Sequence, residues 1–196
     1  MHVHVLCVLL CAVVYSLAYE NLAYQKPTWQ SSTYDPAYSD STRAVDGLKS
    51  DLSYIGKQCS VSTNGESSAT WWVNLEGIRG IESIIIYYRT DNVLWDSGNG
   101  YTTRFLGFYV YISNTTNRLD GHLCFHDTTY TIATIPAVAN ISCPVHGQYV
   151  IYYNERRQGF SYPSGTLFLN HENQVSGVYS FCRLRPSVNL FVCVSV

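Results

Sequence analysis

Two charged residues follow the most apolar run of the chain, and two aromatic residues lie in the polar segment after it. Arg89 and Asp91 come directly after the run Ile84–Tyr88. Arginine presents several hydrogen-bond donors in fixed directions, so Arg89 is a candidate for ligand binding or, alternatively, for an ion pair with Asp91 that ends a strand. Trp95 and Tyr101 are candidates to stack on the apolar face of a ligand.

The elements that must position these residues are predicted to be strands. Short β-branched and aromatic runs recur between clusters of Gly, Asn, Asp and Ser, and helical periodicity is almost absent. The pattern predicts an all-β fold, an antiparallel β-sandwich or jelly roll. The predicted strands are Ala69–Leu75, Ile81–Arg89, Phe105–Ser113, Leu123–Phe125, Tyr130–Ile135 and Gln148–Asn154. Thr33–Asn64 and Asp91–Thr103 are expected to be loops at one end of the sandwich, where such folds bind their ligands.

Two apolar stretches carry predictions about burial. Ile84–Tyr88 does not alternate with polar residues, which is typical of a strand covered on both faces. Trp71 and Trp72 are adjacent, and adjacent side chains of a strand point to opposite faces. We therefore expect one of these indoles to fill the core and the other to meet a loop.

Composition and terminal segments indicate an exported single-domain protein. The 196 residues are 13% charged with a formal net charge of -2, which argues against a nucleic-acid-binding or disordered chain. Residues 1–18 have the short apolar core and small-residue ending of a signal peptide, and the apolar run is too short for a membrane anchor. The expected domain is 19–165, and 166–196 form a divergent tail in which Phe191–Val196 could be a closing strand. Secretion without membrane insertion is therefore predicted.

Cysteines and glycosylation sequons agree with export. Five cysteines follow the predicted signal peptide, namely Cys59, Cys124, Cys143, Cys182 and Cys193. Cys124 and Cys143 flank a strand-like segment and are predicted to form a disulfide, as is usual in exported proteins. The odd number leaves one thiol free or paired between chains. Asn114 and Asn140 each begin an N-glycosylation sequon.

Four phrases in order resemble the discoidin-like family that includes the fucolectins. They are NLAYQKP at 21–27 with QSS at 30–32, AVDG at 44–47, WWVNL at 71–75, and RTD at 89–91. The chain is similar to this family over about Glu20–Gly165. The resemblance implies an eight-stranded antiparallel jelly roll, a galactose-binding-domain-like fold, and carbohydrate binding.

The resemblance also implies a ligand site with departures from the family pattern. The lectins bind fucose with one histidine and two arginines, and Arg89 is similar to the first arginine, with Asp91 placed to orient it. Arg104 precedes a segment similar to the strand that follows the second arginine, so Arg104 is its candidate equivalent, displaced by a longer loop. The histidine expected shortly after Cys59 is replaced within Ser60–Thr63. The loss of this hydrogen-bond donor costs about 1 to 3 kcal/mol of the specificity for fucose.

A structural Ca²⁺ is a further implication of the family, because the AVDG loop holds one there. The ligands that it implies are the side chain of Asp46 and the backbone carbonyls of Arg43 and Leu48, which are the oxygen donors that Ca²⁺ takes. The family's late acidic strand corresponds to a tail segment with arginines, which repel a cation. The family's late cysteine pairs with the one like Cys59, and Cys182, Cys193 or neither of them could take that role.

The expected function is that of a secreted, non-catalytic recognition module. Nothing in the sequence resembles the nucleophile and base of a hydrolase or a spaced carboxylate pair. The first hypothesis is binding of fucose-like glycans or of cell-surface glycoproteins, aided by homo-oligomers because single sugar sites are weak. The second is an adhesion or receptor ectodomain module that binds a protein and keeps a degenerate sugar site.

Overall fold

A computed structural model describes residues 20–63, 65–155 and 190–191. Its strands are β1 (Thr28–Gln30), β2 (Ser68–Tyr87), β3 (Tyr109–Ser113), β4 (His122–His126), β5 (Val138–Glu155) and β6 (Leu190–Phe191). One short α-helix, α1 (Pro36–Ser39), and 3-10 helices at Ser41–Ala44, Thr102–Phe105 and Arg118–Asp120 complete the described elements. The strand order is β1-β2-β5-β3-β4, antiparallel throughout, and β6 pairs with β2 in parallel. The fold is the predicted all-β sandwich.

Both halves of the sandwich are formed from the same two long strands, β2 and β5. Their pairing is continuous except for register shifts between Asn74 and Arg79 and between Ile81 and Ser83. At the first shift Glu76 and Gly77 have φ values of +60° and +157°, and such bulges bend a strand. The sequence predicted two separate strands here, which was wrong because the bulge bends β2 without ending it.

The first half of β5 escaped the prediction, which began this strand only at Gln148. Buried Ala139, Ile141 and Cys143 alternate with exposed residues from Val138 onward, as in a half-buried strand. The alternation was present in the sequence, but the small or polar residues at these positions made it weak.

Two other predicted strands are wrong in whole or in part. Residues 130–135 form a turn in which the amides of Thr134 and Ile135 both donate to the carbonyl of Thr131 at 3.0 Å. The segment before Tyr109 is a 3-10 helix followed by a bend at Gly107, where φ is +81°. β-Branched and aromatic residues alone therefore overestimated the strand content.

The core lies between the two halves of the sandwich and confirms part of the burial predictions. Trp71 is fully buried and donates its indole N–H to the carbonyl of Ser41 at 3.1 Å. Trp72 is half-buried, and instead of meeting a loop it stacks on Trp29 of β1 at 6.0 Å between ring centroids. The run Ile84–Tyr88 alternates after all, because Ile84, Ile86 and Tyr88 are buried while the two residues between them are half-buried.

The disulfide Cys124–Cys143 is formed, as predicted, with a Cα–Cα distance of 5.5 Å. It joins β4 to the first half of β5 and closes 19 residues of chain. Cys59 is a buried free thiol, which disagrees with the bridge to Cys182 that the resemblance implied. Cys182 itself lies outside the described residues.

Other predictions also concern segments outside the described residues. The proposed signal peptide lies there entirely, and of the proposed tail only Leu190–Phe191 are described, as a strand beside Ile84–Ile85. Within the described ranges, no helix is long and apolar enough to cross a membrane.

Candidate functional site

Arg89 occupies a nearly closed position just past the end of β2. The residue is 4% exposed, and its Nε donates to Oδ1 of Asp91. Its Nη2 donates to the hydroxyl of Tyr101 at 3.0 Å. These bonds hold the guanidinium in one orientation before any ligand arrives. This geometry suits a structural role for Arg89 as well as a role in ligand binding.

Asp91 orients the guanidinium, as the sequence motif predicted. Its Oδ2 accepts the hydroxyl hydrogen of Tyr101 at 2.5 Å while Oδ1 accepts from Arg89. Burial, and then the hydrogen bond to Asp91, raise the pKa of Tyr101, so this hydroxyl keeps its proton and acts as a donor. Arg89, Asp91 and Tyr101 therefore form a closed ring of charge-assisted hydrogen bonds.

A left-handed turn ties this loop to the earlier one. Asp91 and Asn92 have φ values of +54° and +59°, a conformation that Asp and Asn tolerate better than most residues. The amide of Asp91 donates to the carbonyl of Leu52 at 2.9 Å, and the Asn92 side chain donates to Asp51 at 2.8 Å. Hydrogen bonds from Ser53 and Asn92 lower the pKa of Asp51. The two predicted loops are thus packed side by side at one end of the sandwich.

Asn99 holds the loop between β2 and β3, a role that the sequence did not reveal. Its buried amide donates to the carbonyls of Thr90 and Leu94 at 3.2 and 3.1 Å. Its Oδ1 accepts from the amide of Tyr101 at 2.9 Å. These side-chain bonds satisfy backbone groups of the loop in place of strand pairing, and they fix the position of Tyr101.

Arg104 joins the same cluster, as the resemblance implied. It lies in the 3-10 helix Thr102–Phe105 and is 8% exposed. The guanidinium carbons of Arg89 and Arg104 are 4.5 and 4.9 Å from the centroid of the Tyr101 ring. The two cations therefore meet at one aromatic ring, at distances where cation–π attraction operates.

The stacking of Tyr101 on a ligand stays a prediction; in the structure its ring lies against two arginines. The same prediction for Trp95 is also open, and its indole packs on the core rings of Tyr88 and Phe105, each at 6.0 Å between centroids. The Trp95 N–H donates to the carbonyl of Ile135 at 2.8 Å. The half-buried Trp95 thus anchors the loop to the core, and its N–H is satisfied by this carbonyl.

A second aromatic group, unnoticed in the sequence, also lies near Arg89. The guanidinium of Arg89 lies 5.6 Å from the ring of Tyr54, which stacks on Tyr38 at 5.4 Å and meets Tyr34 edge-on at 5.6 Å. Burial and the neighbouring Asp35 raise the pKa of Tyr54 to about 12. We call the set Tyr54, Arg89, Asp91, Tyr101 and Arg104 the arginine cluster.

The segment after Cys59 supplies no cation in place of the family histidine. Ser60 and Ser62 are buried, and the Ser60 hydroxyl donates to the side chain of Gln30. Burial raises the pKa of the Cys59 thiol, against the opposing influence of Arg89, so the thiol stays protonated and uncharged. The residues Cys59–Ser62 are therefore small and uncharged.

The loop that the resemblance links to calcium is built around Asp46. The Asp46 carboxylate accepts the amide of Leu48 at 2.9 Å, and Arg43 pairs with Asp40 at 3.2 Å. One carboxylate and nearby carbonyls are oxygen donors of the type that Ca²⁺ takes, so the donor chemistry fits. Among the described residues no group of three or more acidic, His or Cys side chains converges on a metal position.

Solved structures with the same fold are carbohydrate-binding modules. A fucolectin from striped bass (Morone saxatilis) serum matches with a TM-score of 0.59 and 21% identity, covering 80% of this chain and 50% of that one. A fucose-binding module of Streptococcus pneumoniae matches with a TM-score of 0.55 and 24% identity over 82% and 98%. Chitosan-binding module 2 from a Paenibacillus enzyme, solved with chitotriose, matches with a TM-score of 0.51 and 18% identity over 78% and 100%.

Comparison by sequence found no match, whereas comparison by structure did. No protein-family model matches the chain, and no curated protein matches it. Identities below one quarter establish the fold alone. On that ground the chain has the fold of the fucolectin-type, discoidin-like carbohydrate-binding domains, which confirms the resemblance drawn from its four sequence motifs.

Proposed function

We propose that the chain is a secreted, non-catalytic module that binds fucose-like glycans, including those of cell-surface glycoproteins, through the arginine cluster. The observation that carries the proposal is the convergence of Arg89 and Arg104 on Tyr101 at the loop end of a fucolectin-type fold. Two guanidinium groups with oriented N–H donors suit a ligand rich in hydroxyl oxygens, and the Tyr54 ring offers an apolar neighbour.

The charge of the cluster favours a neutral sugar over an amino sugar. Chitotriose, the ligand of the Paenibacillus module, is built of glucosamine units that carry ammonium groups at neutral pH. Two arginines at one site repel such groups, and Asp91 is already paired with Arg89. Fucose-containing glycans present hydroxyl groups and no cation, and therefore fit this site better.

A glycan array on the secreted protein tests the proposal. We expect signal on fucosylated glycans and none on chitotriose. Arg89→Lys and Arg104→Lys keep the charge but lose the planar fork, so each should weaken binding about tenfold or more, the loss expected for a hydrogen bond to a charged group. Arg79→Lys is the matched control, because Arg79 is exposed at the bulge of β2. Glycan binding that survives both cluster variants would place the site elsewhere.

The second candidate function is recognition of a protein by a module with a degenerate sugar site. Two observations favour it, namely the 4% and 8% exposure of the two arginines and the neutral segment after Cys59. A ligand reaches only the edge of each guanidinium unless the loops open. Absence of signal across the whole array, with a correctly folded protein, would support this alternative and contradict the first.

We further propose a structural Ca²⁺ held by Asp46 with the carbonyls of Arg43 and Leu48. Ligands that bind only the folded state raise its stability. The unfolding temperature of the wild type should therefore rise with added Ca²⁺ and fall with a chelator, and Asp46→Asn should abolish that difference. A wild-type unfolding temperature indifferent to Ca²⁺ would refute the site.

Export and glycosylation belong to the same proposal. Asn114 and Asn140 are exposed, in the turn after β3 and on β5 respectively, as glycan attachment requires. Secretion from animal cells followed by enzymatic removal of N-glycans should lower the mass by two glycans. Replacing either asparagine with glutamine should remove one of them.

A further inference from the structure

The short helix α1 begins beside Tyr54, a member of the arginine cluster whose ring lies 5.6 Å from the Arg89 guanidinium. Asp35 caps this helix, because its Oδ1 accepts from the amide of Ala37 at 2.9 Å. The other carboxylate oxygen, Oδ2, accepts from the hydroxyl of Tyr54 at 3.2 Å. One carboxylate therefore ties the start of α1 to the edge of the Tyr54 ring.

Tyr38, within α1, contacts the face of the same ring. The rings of Tyr38 and Tyr54 are 5.4 Å apart between centroids and 15° from parallel, which is the offset-stacked arrangement that aromatic pairs favour. The Nζ of Lys57 lies 4.1 Å from the centroid of the Tyr38 ring, in the range of cation–π attraction. Lys57 is exposed and Tyr54 packs against the core, so the stack runs from solvent inward to the arginine cluster.

The helix that carries these two contacts is itself anchored to the sandwich. Ser39 is fully buried, and its carbonyl accepts from the amide of Val61 at 3.0 Å and from the side chain of Gln30 at 3.2 Å. The Ser39 hydroxyl donates to the carbonyl of Asp35 at 2.9 Å, which closes the helix on itself. A four-residue helix is too short to be stable alone, so these bonds give it a defined place.

We propose that Tyr38 and Asp35 are positioning residues that hold the Tyr54 ring beside Arg89 in the orientation that a bound glycan requires. The inference rests on the proposed function of the arginine cluster. A tyrosine that is free to change rotamer must be ordered when a ligand binds, and that ordering weakens the affinity. The stack and the hydrogen bond order Tyr54 beforehand.

The same two contacts influence the acidity of Tyr54. Burial, followed by the negative charge of Asp35 and its hydrogen bond, raises the pKa of Tyr54 to about 12, and Tyr38 adds to the effect. Phenolate is disfavoured by a neighbouring carboxylate and by removal from water. Loss of either contact should therefore bring the pKa down toward its ordinary value of 10.0. The pKa thus reports the surroundings of the ring when no ligand is present.

Two measurements on the secreted protein test the inference. One is the dissociation constant for methyl α-L-fucoside, and the other is the ionisation of Tyr54 without ligand, followed by NMR in alkaline buffer. Tyr38→Leu removes the stacked ring. Asp35→Asn keeps the helix cap, since Asn caps as well as Asp, but removes the carboxylate. Each variant should raise the dissociation constant about two- to tenfold, the factor that an aromatic pair or a hydrogen bond contributes, and should lower the pKa of Tyr54.

Two control variants separate positioning from a general effect on the fold. Tyr38→Phe keeps the ring for both Tyr54 and Lys57, so it should restore the wild-type affinity. Tyr24→Leu removes a tyrosine that is 49% exposed and lies before β1, so it should change neither measurement. Circular dichroism should show the same fold in every variant.

Three results would overturn the inference. In the first, Tyr38→Leu and Asp35→Asn bind the fucoside as tightly as the wild type, which leaves the proposed function intact. In the second, affinity falls while the pKa of Tyr54 keeps its wild-type value, so that the effect does not pass through this ring. In the third, the wild type binds no fucoside, which refutes the proposed function and the inference with it.

Discussion

Replacement of Tyr101 by Phe removes one hydroxyl and leaves the ring between the two arginines. That hydroxyl donates to Asp91 at 2.5 Å and accepts from Arg89 at 3.0 Å. A hydrogen bond to a charged group contributes about 1.5 to 3 kcal/mol, and water can reach the Asp91 side chain, which is 29% exposed. We therefore expect a loss of about 2 kcal/mol in the free energy of unfolding.

Urea unfolding followed by tryptophan fluorescence measures this loss. With a slope near 2 kcal/mol per molar, the midpoint should fall by about 1 M. Tyr101→Leu also removes the ring, and with it two cation–π contacts of about 0.5 to 1 kcal/mol each, so its midpoint should fall further. Tyr24→Phe is the control, since Tyr24 is 49% exposed and its hydroxyl meets the exposed Gln25 amide.

A midpoint for Tyr101→Phe within error of the wild type would refute the reasoning. It would mean that Asp91 and Arg89 hold each other without the hydroxyl. Equal effects of Tyr101→Phe and Tyr24→Phe would refute it as well. The cluster would then not be the fixed unit on which the proposed ligand site depends.

Three further predictions concern the supports of the cluster and the fold. Replacing Cys124 and Cys143 together by Ala should cost about 3 kcal/mol, from the chain entropy that a bridge of this loop length removes, as measured by denaturant unfolding. Asn99→Ala should lower the unfolding temperature by several degrees, because it leaves three backbone groups of the Tyr101 loop without their partner. The folded state keeps the Tyr54 proton up to a pKa of about 12, against 10.0 ordinarily, so stability that is fully present below pH 10 falls between pH 10 and 12. In Tyr54→Phe the unfolding free energy should fall less steeply with pH in this range, by up to the contribution of one proton. A slope equal to that of the wild type would contradict the environment assigned to Tyr54.

The sequence predicted those parts of the site whose partners are close in the chain. Arg89 and Asp91 are two residues apart, and a strand end followed by this pair has few ways to arrange itself. Arg104 was found through the segment after it, which resembles a family strand although its first residues form a 3-10 helix and a turn here. In each case the information was local or was carried by a family motif.

Residues that meet over long separations were not predictable in this way. Tyr54 reaches Arg89 because the Leu52 carbonyl accepts from Asp91, a contact between loops about forty residues apart that no periodicity encodes. The contact of Trp95 with the core was not foreseen, because its loop position said nothing about the rings of Tyr88 and Phe105 against which it packs.

The fold prediction failed for a related reason. Strand runs were recognised by β-branched and aromatic residues, and these also occur at 130–135, where Thr131 side-chain and backbone bonds stabilise a turn instead. The bulge at Glu76 and Gly77 shows the opposite error, because turn-like residues bent a strand without ending it.

The central claim, that the arginine cluster is the glycan site, is tested most directly by NMR of arginine side chains during titration with methyl α-L-fucoside. The Nε–H resonances of Arg89 and Arg104, assigned through Arg89→Lys and Arg104→Lys, should shift together and saturate, while that of the exposed Arg79 stays in place. Saturable shifts confined to other residues, or no saturable shift with fucoside or with fucosylated oligosaccharides, would contradict the claim.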